Sequence, residues 1–140
     1  SRLFRPVLAN NATPVPRDIT ISGNRARSRR IFVQVGQIPA GALEALSELF
    51  IAGNHVVWHE AFDPIGVIHL NTNAAAAQDD GLRNVVISNN RIVASSAAPS
   101  PRDVQIATPG ASNIHVLNNF FGNNGVANAG VYDVSSNITF

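Results

Sequence analysis

Four arginines fall within six residues: Arg25, Arg27, Arg29 and Arg30. On an extended chain, alternation puts Arg25, Arg27 and Arg29 on one face. Guanidinium groups held that way would grip carboxylates, sulfates or phosphates. No aromatic residue interleaves with these arginines to stack bases, so the stretch reads as a contact for acidic glycan, or else as an ordinary charged edge. The four histidines, His55, His59, His69 and His115, are scattered. His55 and His59, with Glu60 and Asp63 nearby, would share a face on a helix, but Val56-Val57-Trp58 between them reads as strand, and no metal site is assigned. Trp58 is either a stacking platform for sugar or a loop anchor; its type alone does not decide.

The chain around them has 140 residues and a mass of 14.8 kDa, enough for one domain with a modest core. Only 14 % of it is charged, and ten arginines with no lysine against nine acids leave a net charge of +1. That balance excludes a generally basic nucleic-acid binder and an acidic tail. With no cysteine, disulfides and thiolate sites are excluded. No apolar run is long enough for a bilayer-spanning helix, and Ser1 to Arg5 does not read as a secretory leader. The absence of methionine reads as a processed or excised chain.

Sixteen residues are asparagine, and many recur in one setting. Four segments align: Asp18 to Asn24, Glu48 to Asn54, Asn84 to Asn90 and Asn113 to Asn119. Their closing asparagines, Asn24, Asn54, Asn90 and Asn119, are 30, 36 and 29 residues apart, and a fifth copy is read as starting at Asn137. Within each copy apolar residues alternate, as in Ile19 and Ile21 or Val85 and Ile87. Period two over so short a run predicts a strand with one buried face. The Gly-Asn or Asn-Asn pair that follows is a turn, because both types tolerate left-handed backbone. A second strand follows the turn, placing Ala26, Val56, Ile92 and Phe121 at equivalent inward positions. A third is read at Ile31 to Val35, Val67 to Leu70, Val104 to Ile106 and Val131 to Val134.

Three short strands per unit of about 30 residues is the arithmetic of a parallel β-solenoid. One coil cannot bury its inward face alone, whereas stacked coils bury theirs against each other and pair backbones about 4.8 Å apart. Asn24, Asn54, Asn90 and Asn119 would then form one column, each amide bonded to main chain or to the next asparagine, since a buried amide is costly unless bonded. The sequence therefore predicts an all-β fold of about four to five coils with an asparagine ladder. A sandwich of antiparallel strands would explain the alternation but not the return of the same Asn-capped phrase.

Segments such as Asn84-Val85-Val86-Ile87-Ser88-Asn89-Asn90-Arg91-Ile92 and Asn113 to Phe121 resemble coils of right-handed, single-stranded parallel β-helix proteins of the pectate-lyase-like superfamily. That superfamily includes pectin and polygalacturonate enzymes, alginate epimerases and phage tailspikes, and the resemblance runs from about Asp18 to Phe140. It implies a carbohydrate-directed domain outside the cell or on a virion surface. Such a domain binds an acidic polysaccharide, with lyase, hydrolase and epimerase chemistry all left open. The alternative is a non-catalytic structural or receptor-binding segment of a larger assembly such as a tailspike.

The resemblance also implies a glycan cleft over the third strands. Its outward candidates would be Phe32 and Gln34, Val67 and His69, Asp103 and Gln105, and Tyr132 with Asp133. Hydrolysis needs two carboxyl groups flanking the bond, and Asp79, Asp80, Asp103 and Asp133 are the possible ones, with His69 beside them. Asp79-Asp80-Gly81 is similar to the paired aspartates of polygalacturonases, but Asn71-Thr72-Asn73 has asparagine where those enzymes carry an acid. Lyase chemistry needs a base, for which Arg83, Arg91 and Arg102 are available. Substrate contacts are expected from Arg25, Arg27, Arg29, Gln34, Gln105, Tyr132 and Trp58. No cofactor or nucleic-acid partner is expected.

Residues 1–17 read as a partial coil or N-terminal segment and 18–140 as the β-helix, ending in mid-coil. Further coils of the same protein or another subunit are expected at that open end. Two stretches break the pattern: Pro39 to Leu49, a short helix or loop, and Asn71 to Gly81, an insertion of about six residues. Outward positions before the turn read Thr20, Phe50, Val86, His115 and Thr139. The apolar Phe50 and Val86 among them are either covered by the Pro39–Leu46 stretch or in contact with another subunit, as in a homotrimer.

Overall fold

Alternating apolar residues bounded by left-handed turns give fourteen short strands among the described residues, assembled in the computed structural model into a right-handed parallel β-helix of about four coils. The structure describes residues 17–28, 31–35, 46–58, 67–70, 82–94, 103–106, 112–122, 126–127 and 133–139. The first sheet holds β1 (Ile19–Ser22), β4 (Leu46–Ala52), β7 (Leu82–Ser88), β10 (Ser112–Leu117) and β13 (Asp133–Ser135). The second holds β2 (Arg25–Ser28), β5 (His55–Trp58), β8 (Arg91–Ala94), β11 (Phe120–Phe121) and β14 (Ile138–Thr139). The third holds β3 (Val33–Val35), β6 (Ile68–Leu70), β9 (Val104–Ile106) and β12 (Val126–Ala127). Neighbours in every sheet are parallel and come from successive coils.

Register stacks like on like. Ile21, Ile51, Ile87 and Val116 form one inward column, and Leu49, Val85 and Ile114 continue another from Ile19. Ala26, Val56, Ile92 and Phe121 share the inward column of the second sheet, as their spacing predicts. Val33, Ile68 and Val104 align in the third. These residues make one apolar core, with Leu49, Ile51, Val85, Ile87 and Val104 wholly buried.

The bend between the first two sheets is made by two residues. The first has left-handed backbone in every coil: Gly23 (φ 66°), Gly53 (φ 64°), Asn89 (φ 54°), Asn118 (φ 55°) and Ser136 (φ 55°). Glycine and asparagine are the residues that adopt this conformation at least cost. The second is the ladder asparagine. Asn90 shows the complete pattern. Its Oδ1 accepts from the Asn54 backbone N–H (3.0 Å) and Nδ2 (2.9 Å). Its own Nδ2 donates to the Ile51 carbonyl (2.8 Å) and Asn119 Oδ1 (2.9 Å). Its backbone N–H donates to Asn119 Oδ1 (2.9 Å), and its carbonyl accepts from Phe120 N–H (2.8 Å). Thus an amide only 2 % exposed leaves no polar group unsatisfied.

The ladder has one rung more than its four expected members, which corrects the repeat alignment near the end. Asn137 Oδ1 accepts from Asn119 N–H (2.8 Å) and Nδ2 (2.9 Å), so Asn137 continues from Asn119 after 18 residues instead of opening a new copy in the phase of Asn113. Accordingly Asp133–Ser135 pairs with β10 in the first sheet and is not a third strand. The third strand of that coil is Val126–Ala127, paired with β9. Thr139 lies beside Phe121 in the second sheet, and Asp133 takes the place beside His115. The shorter last coil shifted the apparent phase. Residues 1–16, most of the Pro39–Leu49 stretch and the Asn71–Gly81 insertion lie outside the described residues, although β4 is already strand at Leu46.

Candidate functional site

The parallel register turns single residues of the second sheet into rows. Arg25 lies beside His55, His55 beside Arg91, Arg91 beside Phe120 and Phe120 beside Ile138. Alternation points this row outward: Val56 and Ile92 behind it are buried, while Arg25 and Arg91 are exposed and His55 and Phe120 half-buried. A second outward row, Arg27, Val57 and Val93, runs alongside. The Arg91 guanidinium carbon sits 5.1 Å from the centre of the Phe120 ring, within the range of a cation–π contact that holds the charge over an aromatic face.

Charge is segregated around this face. The described carboxyl residues are Asp18, Glu48, Asp103 and Asp133, and none belongs to a strand of the second sheet. Three arginines therefore share a surface with no acid in its strands. Neighbouring strands are about 4.8 Å apart, so Arg25 and Arg91, two rungs apart, stand about 10 Å from each other along the helix axis. Such a spacing suits a linear ligand carrying repeated anionic groups.

The other predicted residues fall elsewhere. Gln34, His69 and Gln105 form a row across the third sheet. His69 is only 4 % exposed, Gln34 and Gln105 are half-buried, and the Gln34 Oε1 atom is buried without a hydrogen-bond partner. Asp103 precedes β9 and is wholly buried, its carbonyl accepting from Ile68 N–H (3.0 Å). Phe32 and Val67, read as outward, are also wholly buried. Asp133 stands in the first sheet, whereas Asp103 borders the third. Trp58 is 2 % exposed within the core, because it shares the inward phase of Val56; the surface platform for sugar is thereby corrected. Asp79, Asp80, Arg29, Arg102 and Tyr132 lie outside the described residues.

A further row went unread in the sequence. Asp18, Glu48, Asn84 and Asn113, the first residues of the four repeat segments, all have left-handed backbone, with φ of 56°, 60°, 52° and 52°. Asn113 Nδ2 donates to Asn84 Oδ1 (2.7 Å), and His115 Nε2 lies 2.7 Å from Asn113 Oδ1. A hydrogen bond to Asp18, then the charge of Asp18, push the Glu48 carboxyl above its ordinary value, with Arg17 pulling the other way. The recurrence of Asp, Glu, Asn and Asn at one repeat position was the available signal. Among the described residues no three His, Asp or Glu groups converge as a metal site, and no helix is long and apolar enough to cross a membrane. No family model, curated protein or solved structure matches the chain.

Proposed function

We propose that this β-helix is a carbohydrate-binding domain that holds an acidic polysaccharide along the outer face of its second sheet. The alignment of Arg25, His55, Arg91 and Phe120 in one row, on a sheet whose strands carry no acid, carries the reading. Arginine forks pair with carboxylate or sulfate oxygens in two-pronged fashion. The Phe120 ring adds an apolar face for a sugar ring, and the fixed spacing of the coils repeats the contact along a polymer. The resemblance of the coil pattern to that of pectate-lyase-like proteins supports this reading, under which the protein would act where such polymers occur, outside the cell or on a virion.

Binding, not cleavage, is the part that the described residues support. Two carboxyl groups serving one glycosidic bond stand about 5–9.5 Å apart across it. Asp103 is buried at the third sheet, whereas Asp133 belongs to the first. The burial of Asp103 favours, as the second reading, a non-catalytic attachment segment of a larger assembly over a hydrolase using this pair.

The test is titration of the protein with polygalacturonate, alginate and neutral dextran, with single-stranded DNA as a competing polyanion. The proposal expects retention by the uronates, none by dextran, and weakening as salt is raised. Arg91→Ala should lower uronate affinity about tenfold, the scale of one charge-assisted contact. Equal binding to dextran, or preference for DNA over both uronates, contradicts it. New reducing ends and unsaturated-uronate absorbance, read in the same samples, separate cleavage from binding.

A further inference from the structure

The outward row of the second sheet is built directly on the ladder. Each member follows a ladder asparagine: Arg25 after Asn24, His55 after Asn54, Arg91 after Asn90 and Phe120 after Asn119. Each strand start is also tied to the preceding coil. His55 N–H donates to the Asn24 carbonyl, Arg91 N–H to that of Asn54 and Phe120 N–H to that of Asn90, all at 2.8 Å. Behind the row, Val56, Ile92 and Phe121 are at most 1 % exposed and fix the strands to the core. The ladder therefore sets the spacing of the row, and its backbone needs no reordering to receive a ligand.

Charge is uneven along this row. Arg25 and Arg91 are permanently cationic and stand two rungs apart. His55 holds the rung between them, half-buried, about 4.8 Å from either strand. Arg91 packs its guanidinium against Phe120, its neighbour on the side away from His55, at 5.1 Å from the ring centre. The middle rung is thus left to the imidazole. Among the described residues, the charged groups facing His55 are Arg25 and Arg27 on β2 and Arg91 on β8. Val57 and Val93 complete that face, and no carboxyl residue lies in the described strands of the sheet. Imidazole is the side chain that changes charge between about pH 5 and pH 8, a range over which arginine keeps its own. With no acid in these strands to pair with it, an imidazolium here is directed at an anion lying across the row.

We infer that His55 is a proton-dependent contact of the polysaccharide face, so that the protein grips an acidic polymer in mildly acid surroundings and releases it as pH rises. This role rests on the binding reading of the second sheet and adds regulation to that same site. In its neutral form the imidazole offers the polymer one N–H donor and one lone pair, between two fixed cations. Once protonated, both ring nitrogens donate, and cations occupy three consecutive rungs. A carboxylate bound beside His55 favours the imidazolium, and by linkage the imidazolium favours the bound carboxylate by the same factor. Association in the range where His55 titrates therefore takes up protons.

The test is calorimetric titration of the full chain with polygalacturonate oligomers at pH 5.5 and pH 7.5, at constant ionic strength. The parent should bind about tenfold more tightly at pH 5.5, the scale of one charge-assisted contact. At pH 6.5 its heat of binding should follow the ionisation heat of the buffer, which reads the proton taken up. His55→Gln should make the two affinities agree and remove the buffer dependence. His55→Arg should also be flat with pH, at the tighter level. His115→Gln, altered in the first sheet, should keep the rise. Arg25→Ala should weaken binding at both pH values and still show a rise, which separates the fixed cations from the titrating one. Circular dichroism checks that each variant keeps its strands. A parent that binds equally at both pH values overturns the inference and leaves the binding reading standing, as does a rise that survives in His55→Gln. Absence of uronate binding at both pH values overturns the two together.

Discussion

Asn90 is a single side chain with four hydrogen bonds, and no other residue type reproduces them. Its Oδ1 serves two donors of Asn54, and its Nδ2 serves Ile51 and Asn119. Asn90→Asp keeps the shape and both acceptor bonds but removes both donor bonds, and buries a charge at a site only 2 % exposed. Asn90→Ala instead leaves the Asn54 donors and the Ile51 carbonyl unpaired, at about 1–3 kcal/mol for each group stranded. Urea unfolding of both variants should show losses of about 3 kcal/mol or more, against near-zero change for alanine at exposed Ser112. An Asn90→Asp protein as stable as the parent at pH 7 would contradict the ladder. This residue was legible early, because an amide returning after the same alternating phrase has few physical explanations besides a stack. Trp58 was not: tryptophan serves cores and sugars alike, and only the inward phase of β5 decides.

At the scale of the strand, the left-handed row Asp18, Glu48, Asn84 and Asn113 bends each first-sheet strand where it enters the coil. Pairing runs from Ser47 with Arg83 to Leu49 with Val85 and steps over the kinked residue. Asparagine suits this backbone; glutamate does not, and it also faces a like charge. Because hydrogen bonding to Asp18 and then its charge raise the Glu48 carboxyl above its ordinary value, the folded state holds the shared proton more tightly than the unfolded chain. The stability from that proton is fully present below the ordinary glutamate value and is lost as pH rises through the raised one. Glu48→Gln removes the titration, so its melting temperature should gain on the parent between pH 4 and pH 7, and Glu48→Asn should gain further at both. A constant difference across that range would contradict the pairing. The strands themselves were readable from period-two alternation in residues such as Val85 and Ile87. The last coil was misphased because its 18-residue return to Asn137 departs from the roughly 30-residue spacing set by the others.

At the scale of the whole molecule, chain order becomes an axis. Residues 30 or 36 apart in sequence become neighbours, so a scattered arginine, histidine and phenylalanine line up as a surface. No local motif could show that surface, since Arg25, His55, Arg91 and Phe120 belong to four different coils and only the register joins them. The Arg25–Arg27 half was visible in the sequence as a charge cluster, whereas the Phe120 end was not. The glycan face stands on that register, and the cysteine-free chain allows it to be measured without background. Paired residues on adjacent strands lie about 4.8 Å apart, inside the span a disulfide bridges, whereas a partner two residues further along lies about 8 Å away, beyond it. The decisive measurement is the rate of intramolecular disulfide formation in two double variants under mild oxidation. Arg25→Cys with His55→Cys should close rapidly in the folded protein and slow to the unfolded rate in urea, while Arg25→Cys with Val57→Cys should close far more slowly. Equal rates for the two, or faster closure of the second, would contradict the stacked register on which the account rests.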